Sequence, residues 1–161
     1  MTFDSSLLET YRTLLNTTPL QQSYQEFVRL FRYLRSELER QLPDFRFQSG
    51  ICENAMEYAY FSLTSPALKE KGWKLVVVFI HKSFQLEVWL SGSNRSIQRQ
   101  WANRLNACPP PMEASADPGR TEYLIRLPVQ TDLTNGKGTA AAIRKAVKDL
   151  TEFLSSQGGT I

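Results

Sequence analysis

Apolar and polar positions are patterned most clearly across residues 72–92, which read GWKLVVVFIHKSFQLEVWLSG. Val76, Val77, Val78, Phe79 and Ile80 are β-branched or aromatic and suit a pleated ladder better than a helix. Over residues 84–90 apolar and polar side chains alternate with the period of two that marks a strand with one buried face. A short turn at Lys82-Ser83 predicts a hairpin that pairs His81 with Phe84, Phe79 with Leu86, Val77 with Val88 and Leu75 with Leu90. These side chains make a core face. The opposite face pairs Ile80 with Gln85, Val78 with Glu87, Val76 with Trp89 and Lys74 with Ser91, mixing apolar, aromatic and charged groups. A slip of one residue would carry Gln85 and Glu87 into the core, so burial holds this register.

Helical spacing governs the N-terminal region. Leu7, Leu8, Tyr11 and Leu14 predict a short helix capped by Ser5 or Ser6, broken at Asn16-Thr17-Thr18. Leu20, Tyr24, Phe27, Phe31, Leu34 and Leu38 predict a longer helix, ended at Leu42-Pro43 because a residue before proline is pushed out of the α region. Strands are expected at 45–52, with Gly50 as a weak point or bulge, and at 57–63. In the second of these Ala59, Phe61 and Leu63 face one way, and Tyr58, Tyr60 and Ser62 the other. Ser65-Pro66 opens a capped helical turn. After the hairpin, Ser93 or Asn94 caps a helix that turns Ile97, Trp101 and Leu105 inward. Residues 108–119, CPPPMEASADPG, read as an exposed, mobile loop. A short last strand is expected at 123–127, stopped by Pro128, and then loop over 131–138. Gly138 or Thr139 opens a final helix with Ile143, Ala146, Val147, Leu150 and Leu154 on one stripe, and Gly158 and Gly159 fall in a frayed tail. The expected architecture is one α+β domain over 1–161. Its mainly antiparallel sheet has about five strands, packed by two N-terminal helices, a middle helix and a C-terminal helix.

Composition leaves this picture in place. The length of 161 residues fits one domain with a real core, and 42% hydrophobic against 22% charged residues is ordinary for a globular chain. A net charge of +3 permits contact with nucleic acid or an anionic surface without arguing for it. Cys52 and Cys108 are too few and too isolated for a disulfide framework, so free thiols in a reducing cytoplasm are expected. The opening MTFDSSLLET has neither the basic nor the apolar region of a signal peptide. No apolar run approaches the roughly 20 residues that span a bilayer, so no membrane partner is expected.

Tyr58, Tyr60, Lys74, Glu87 and Trp89 form the candidate ligand-binding set, brought together if the Tyr58 strand neighbours the Lys74 strand. Such a face offers flat stacking surfaces, hydrogen-bond donors and one carboxylate. It suits a small polar ligand, a protein partner or stacked bases. The bland alternative is that helices cover the face and the tyrosine hydroxyls only reach its rim. His81 is the single histidine; with no second histidine and no paired cysteines, no metal site is expected, and no cofactor. Glu53, Glu57 and Glu87 have no spacing that forces any two together as an acid pair. The run Asn135-Gly136-Lys137-Gly138-Thr139 before a helix has the look of a phosphate loop, yet it lacks the GxxxxGK[ST] spacing. Arg95 and Arg99, one helical turn apart, with Arg104 beyond, are an alternative, nucleic-acid-binding set, although a solvated helix face explains them equally well.

With these elements placed, the chain resembles a small bacterial family of uncharacterised α+β proteins, a domain of unknown function. The resemblance rests on Glu57-Tyr58-Ala59-Tyr60-Phe61, Leu68-Lys69, Val78-Phe79-Ile80-His81, Phe84, Glu87-Val88-Trp89-Leu90, Asn94 and Gln98. It spans roughly residues 8–105 as a pattern of elements. It implies no activity, cofactor or catalytic residue. The piece EVWLSGSNRSIQRQW is also faintly similar to a module appended to some nuclease-like proteins, but Glu87 is followed by Val88 and Trp89, so the carboxylate-x-lysine strand motif is absent. Three readings therefore stand in order. First comes a cytosolic, non-catalytic binding domain using the mixed sheet face. A nucleic-acid-associated accessory protein follows, and last a small acid–base enzyme using Glu87 and His81.

Overall fold

The computed structural model describes residues 1–157 apart from Asn106; Gly158 and Gly159, expected in the tail, lie outside the described residues. Five helices are α1 (Ser5–Thr17), α2 (Leu20–Gln41), α3 (Pro66–Glu70), α4 (Arg95–Trp101) and α5 (Gly136–Ser156). Six strands are β1 (Arg46–Asn54), β2 (Tyr58–Thr64), β3 (Trp73–Ile80), β4 (Gln85–Gly92), β5 (Glu113–Ala114) and β6 (Ile125–Val129). They form one sheet in the order β1-β2-β3-β4-β6-β5, and every neighbouring pair is antiparallel. The class is α+β, with one strand more than the five expected.

The β3–β4 hairpin has the register its apolar pattern requires: Leu75 opposite Leu90, Val77 opposite Val88, Phe79 opposite Leu86, and Val78 opposite Glu87 on the other face. The ladder ends one step earlier than expected, at Ile80 and Gln85. His81 and Phe84 belong to the loop, where the Phe84 N–H donates to the His81 carbonyl at 3.1 Å and Phe84 takes a left-handed φ of 53°. That φ reverses the chain within four residues, and the Phe84 ring still meets Phe79 edge-on at 5.1 Å.

Buried helix residues all serve one side of the sheet. Phe31, Leu34 and Leu38 of α2 and Ile143, Val147, Leu150 and Leu154 of α5 share a single core with Phe61, Leu75, Val77, Phe79, Val88, Leu90, Ile125 and Leu127. Leu68 of α3 and Trp101 of α4 join the same core. Helix α1 has no buried residue; it adjoins α2, while Leu7, Leu8, Tyr11 and Leu14 stay exposed. Its cap is Asp4, whose Oδ1 accepts the Leu7 N–H at 3.0 Å and so makes Ser5 the first helical residue.

The β1–β2 ladder is irregular between Gln48 and Cys52, on either side of Gly50, where the sequence places a weak point or bulge. Two details depart from the sequence expectation. Glu113–Ala114, inside the stretch read as loop, pairs with Arg126 and Ile125 as the sixth strand. Pro128 lies within β6, opposite Glu87, instead of ending it. There it sits past the reach of β5, where β6 is an edge strand and a missing N–H costs no ladder bond.

Phe79 stands at the centre of this arrangement, 1% exposed and 4.6 Å from the Phe27 ring of α2. Phe79→Ala is expected to cost about 3–5 kcal/mol in urea unfolding. A loss below about 1 kcal/mol would show that the hairpin is not the centre of the core.

Candidate functional site

The face of the sheet turned away from the helices is built in rows. One row runs Cys52, Tyr60, Val78, Glu87 and Pro128 across five strands; the next runs Ser62, Val76, Trp89, Arg126 and Glu113. Tyr58 lies at one end, opposite Ile80. Val76, Val78 and Trp89 form a second apolar cluster, packed among the described residues by Ile80 and Tyr123 and by no apolar helix residue. Side chains of the sheet itself therefore shield its centre.

Glu87 lies within this cluster at 2% exposure. Its Oε2 accepts the Trp89 indole N–H at 2.6 Å. The indole is bracketed by rings: Tyr58 meets it edge-on at 6.1 Å between centroids, and Tyr123 tilts against it at 5.2 Å. Tyr58 and Tyr60 are each 37% exposed, so they form a reachable rim beside the buried Glu87 and Trp89. The Tyr60 hydroxyl is held above its ordinary pKa, chiefly by interaction with Cys52 beside it on β1 and then by burial. Tyr58, Tyr60, Glu87 and Trp89 thus share one surface. Lys74 shares the face but pairs with Ser91, four residues along from the Val78–Glu87 pair, or about 13 Å.

Tyr123, Arg126 and Glu113 complete the surface and lie outside the set of residues that the sequence pattern singles out. Arg126 donates to Glu113 Oε2 through Nε at 2.8 Å and Nη2 at 2.5 Å, and its guanidinium lies 5.8 Å from the Tyr123 ring centre. This pairing raises the Arg126 pKa, Glu113 contributing most. The alternation of Ile125, Leu127 and Val129 with Arg126 and Pro128 is a signal for it. Only the non-consecutive β4–β6 pairing, however, sets Arg126 opposite Trp89.

The arginine set is placed differently. Arg95 donates through Nη1 to the carbonyls of Gly119 and Thr121 and pairs with Glu122. The Arg99 Nε–H donates to the Arg95 carbonyl at 3.3 Å, and the Arg104 guanidinium lies 5.2 Å from the Trp101 ring centre. Arg95 is thereby committed to the loop between β5 and β6. Beside it Gln98, 3% exposed, ties the same loop down. Its Oε1 accepts the Gly92 N–H at 3.2 Å, and its Nε2 donates to the carbonyls of Pro118 and Thr121 at 3.0 and 2.5 Å. Gly92 has to be glycine for this, because a Cβ there would stand 2.8 Å from the Gln98 backbone nitrogen. Asn94 caps α4, accepting the Ile97 N–H at 2.9 Å.

His81 lies on the helix side of the hairpin, against the rings of Phe27 at 4.8 Å and Phe79 at 5.1 Å. Glu87 faces the other way, so the structure does not bring the two together as an acid–base pair. Burial lowers the His81 pKa, and the Glu53 carboxylate partly opposes this. The Tyr24 hydroxyl donates to Glu53 at 2.7 Å, and its pKa is pushed up to about 12, first by that bond. The run at 135–139 forms the start of α5, where Asn135 Oδ1 accepts the Gly138 N–H at 2.9 Å. It borders a groove of about 780 Å³ lined also by Phe27, Leu30, Tyr33, Phe84 and Leu133, on the helix side. Among the described residues no cluster of three His, Cys, Asp or Glu could hold a metal ion, and no helix is long and apolar enough to cross a membrane.

Fold and site together define a two-layer α+β domain with helices on one sheet face and an aromatic, carboxylate-bearing surface on the other. The chain belongs to the family described as Domain of unknown function (DUF7000), which matches residues 4–157. No curated protein and no solved structure matches it.

Two expected outcomes test the polar framework. Gln98→Leu leaves the Gly92 N–H without its acceptor and should cost about 1–3 kcal/mol. It should also speed protease cleavage within residues 108–121; unchanged stability together with unchanged cleavage would show that Gln98 does not hold the loop. For His81, the folded state binds its proton less tightly than the unfolded chain does, whose ordinary pKa is about 6.5. Its contribution to stability is thus fully present above about pH 6.5 and is lost as the pH falls through the lowered folded value. The melting temperature should drop on acidification from about pH 7.5 to about pH 5. His81→Gln should flatten part of that slope, and an identical slope in the variant would refute the assignment.

Proposed function

We propose that this chain is a non-catalytic binding domain and that its binding surface is the uncovered sheet face around Tyr58, Tyr60, Glu87 and Trp89, with Tyr123 and Arg126 at its far side. The observation that supports this reading is a carboxylate enclosed by Val76, Val78 and Trp89 where, among the described residues, no apolar helix residue contributes to the cluster. A sheet face that only had to meet water would gain nothing from three clustered rings and a buried acid. A face that receives a ligand uses both, since apolar walls supply contact area and a few polar groups fix orientation. A small polar ligand suits the dimensions better than an extended macromolecule, because the ring-lined part spans only Tyr58, Trp89 and Tyr123, with neighbouring centroids 6.1 and 5.2 Å apart. Two free thiols, Cys52 exposed and Cys108 partly buried, favour a reducing compartment, and we place the domain in the cytoplasm on that ground.

The test is a thermal-shift screen of small polar compounds, repeated on Glu87→Gln and Trp89→Phe. Both variants keep the shape of the cluster, and both should lose most of the shift produced by compounds that stabilise the wild type. Compounds that stabilise all three proteins equally would place binding elsewhere and overturn the proposal.

A further inference from the structure

Resting on the reading of this face as a binding surface, we infer that its ligand is a small organic cation, a protonated or quaternary amine held by Glu87 against the rings of Trp89 and Tyr58. The argument begins with charge. Among the described residues, three carboxylates lie around the Trp89 and Tyr123 part of the face, and two are matched: Glu113 by Arg126, and Glu122 by Arg95. Glu87 is the third. Its one hydrogen bond among the described residues comes from a neutral donor, the Trp89 indole, to Oε2. Oε1 receives none from these residues. Arg126 feels the Glu87 charge, but less than that of Glu113, to which its own hydrogen bonds go. Lys74, the remaining cation of the face, is about 13 Å along the strand.

A carboxylate taken out of water is costly unless it is paired, and one neutral N–H does not replace a counter-ion. The surroundings specify what kind of counter-ion fits. A metal ion would need several oxygen or nitrogen ligands, and Glu87 is surrounded by Val76, Val78 and aromatic rings. A strongly hydrated ion would lose its shell with nothing to replace it. An alkylated ammonium loses little hydration, lays its methyl groups on ring faces and is attracted by their quadrupoles. Tyr58, Trp89 and Tyr123 stand in sequence across the face, with neighbouring centroids 6.1 and 5.2 Å apart. Tyr58 is the exposed member, so its ring is the wall that a ligand entering beside Trp89 meets first.

The Trp89 indole N–H reports directly on this event, because an ammonium at Glu87 draws charge from the carboxylate that the N–H is bonded to. In a nitrogen–proton correlation spectrum its resonance is identified by its loss in Trp89→Phe, and the indole signals of Trp73 and Trp101 serve as internal controls. Three probes are titrated: choline, dimethylethanolamine, and the neutral alcohol in which carbon replaces the choline nitrogen. Both ammonium compounds should shift the Trp89 signal saturably and bind about tenfold more tightly than the alcohol. Glu87→Gln retains an acceptor for the indole and should abolish that preference. Should Glu87→Gln disturb the control indoles, Tyr58→Leu at the exposed wall takes its place, and should weaken the ammonium probes more than the alcohol. Equal binding of the alcohol at Trp89 would overturn the cation assignment while leaving the face as a binding surface. An unmoved Trp89 signal with all three probes, or a preference that survives in the variants, would also overturn it.

Discussion

The register of β3 against β4 is the constraint on which the rest of the structure depends. With Val77 opposite Val88 and Phe79 opposite Leu86, one face of the hairpin is entirely apolar and accepts α2 and α5. The same register sets Val78 opposite Glu87 and Val76 opposite Trp89 on the other face. A slip of one residue would bury Glu87 against Phe27 and Phe31 and expose Val88 and Leu90. The core and the candidate site are therefore two consequences of one pairing, enforced by the large cost of burying a carboxylate among aromatic rings.

This dependence explains what can be read from the chain. Period-two alternation in β2, β3 and β4 reports which side chains share a face, so the hairpin pairs and the joint position of Tyr58, Tyr60, Glu87 and Trp89 are legible in the amino-acid sequence alone. Helix-side assignments follow from stripes such as Phe31, Leu34 and Leu38. The far half of the surface is not legible in this way. Tyr123, Arg126 and Glu113 reach Trp89 because β6 lies beside β4, with β5 at its far edge. No local pattern encodes a pairing across more than thirty residues of loop and helix. Pro128 misleads for a related reason: proline ends a strand with neighbours on both sides, but β6 has only one neighbour at that point. The exposed stripe of α1 is the converse case, since helical periodicity states that a face is apolar and not that anything covers it.

Polar groups outside the face are mostly engaged in holding the frame. Gln98, Arg95 and Ser91 satisfy carbonyls between residues 118 and 123, and this fixes the segment from which Tyr123 projects beside Trp89. The Arg126–Glu113 pair binds β5 to β6 over the same ring. Position, not titration, is what these residues contribute. The basic helix α4 serves this framework through Arg95, whose donors face inward to carbonyls and to Glu122.

The separation of His81 from Glu87 follows from the same geometry and bears on what kind of chemistry the surface suits. A strand places alternate residues on opposite faces, and the loop after Ile80 returns His81 to the helix side, among Tyr24, Phe27 and Phe79. Glu87 is left as the carboxylate within an apolar, ring-lined floor, bonded by an indole that cannot exchange roles as acid and base. Proton transfer calls for a second titratable group within hydrogen-bond reach, whereas recognition of charge calls for a fixed carboxylate in surroundings that do not screen it. The Trp89 N–H supplies the fixing, and the valines and rings leave little room for the water that would screen. On the proposed reading, this arrangement of Glu87 serves to hold a ligand.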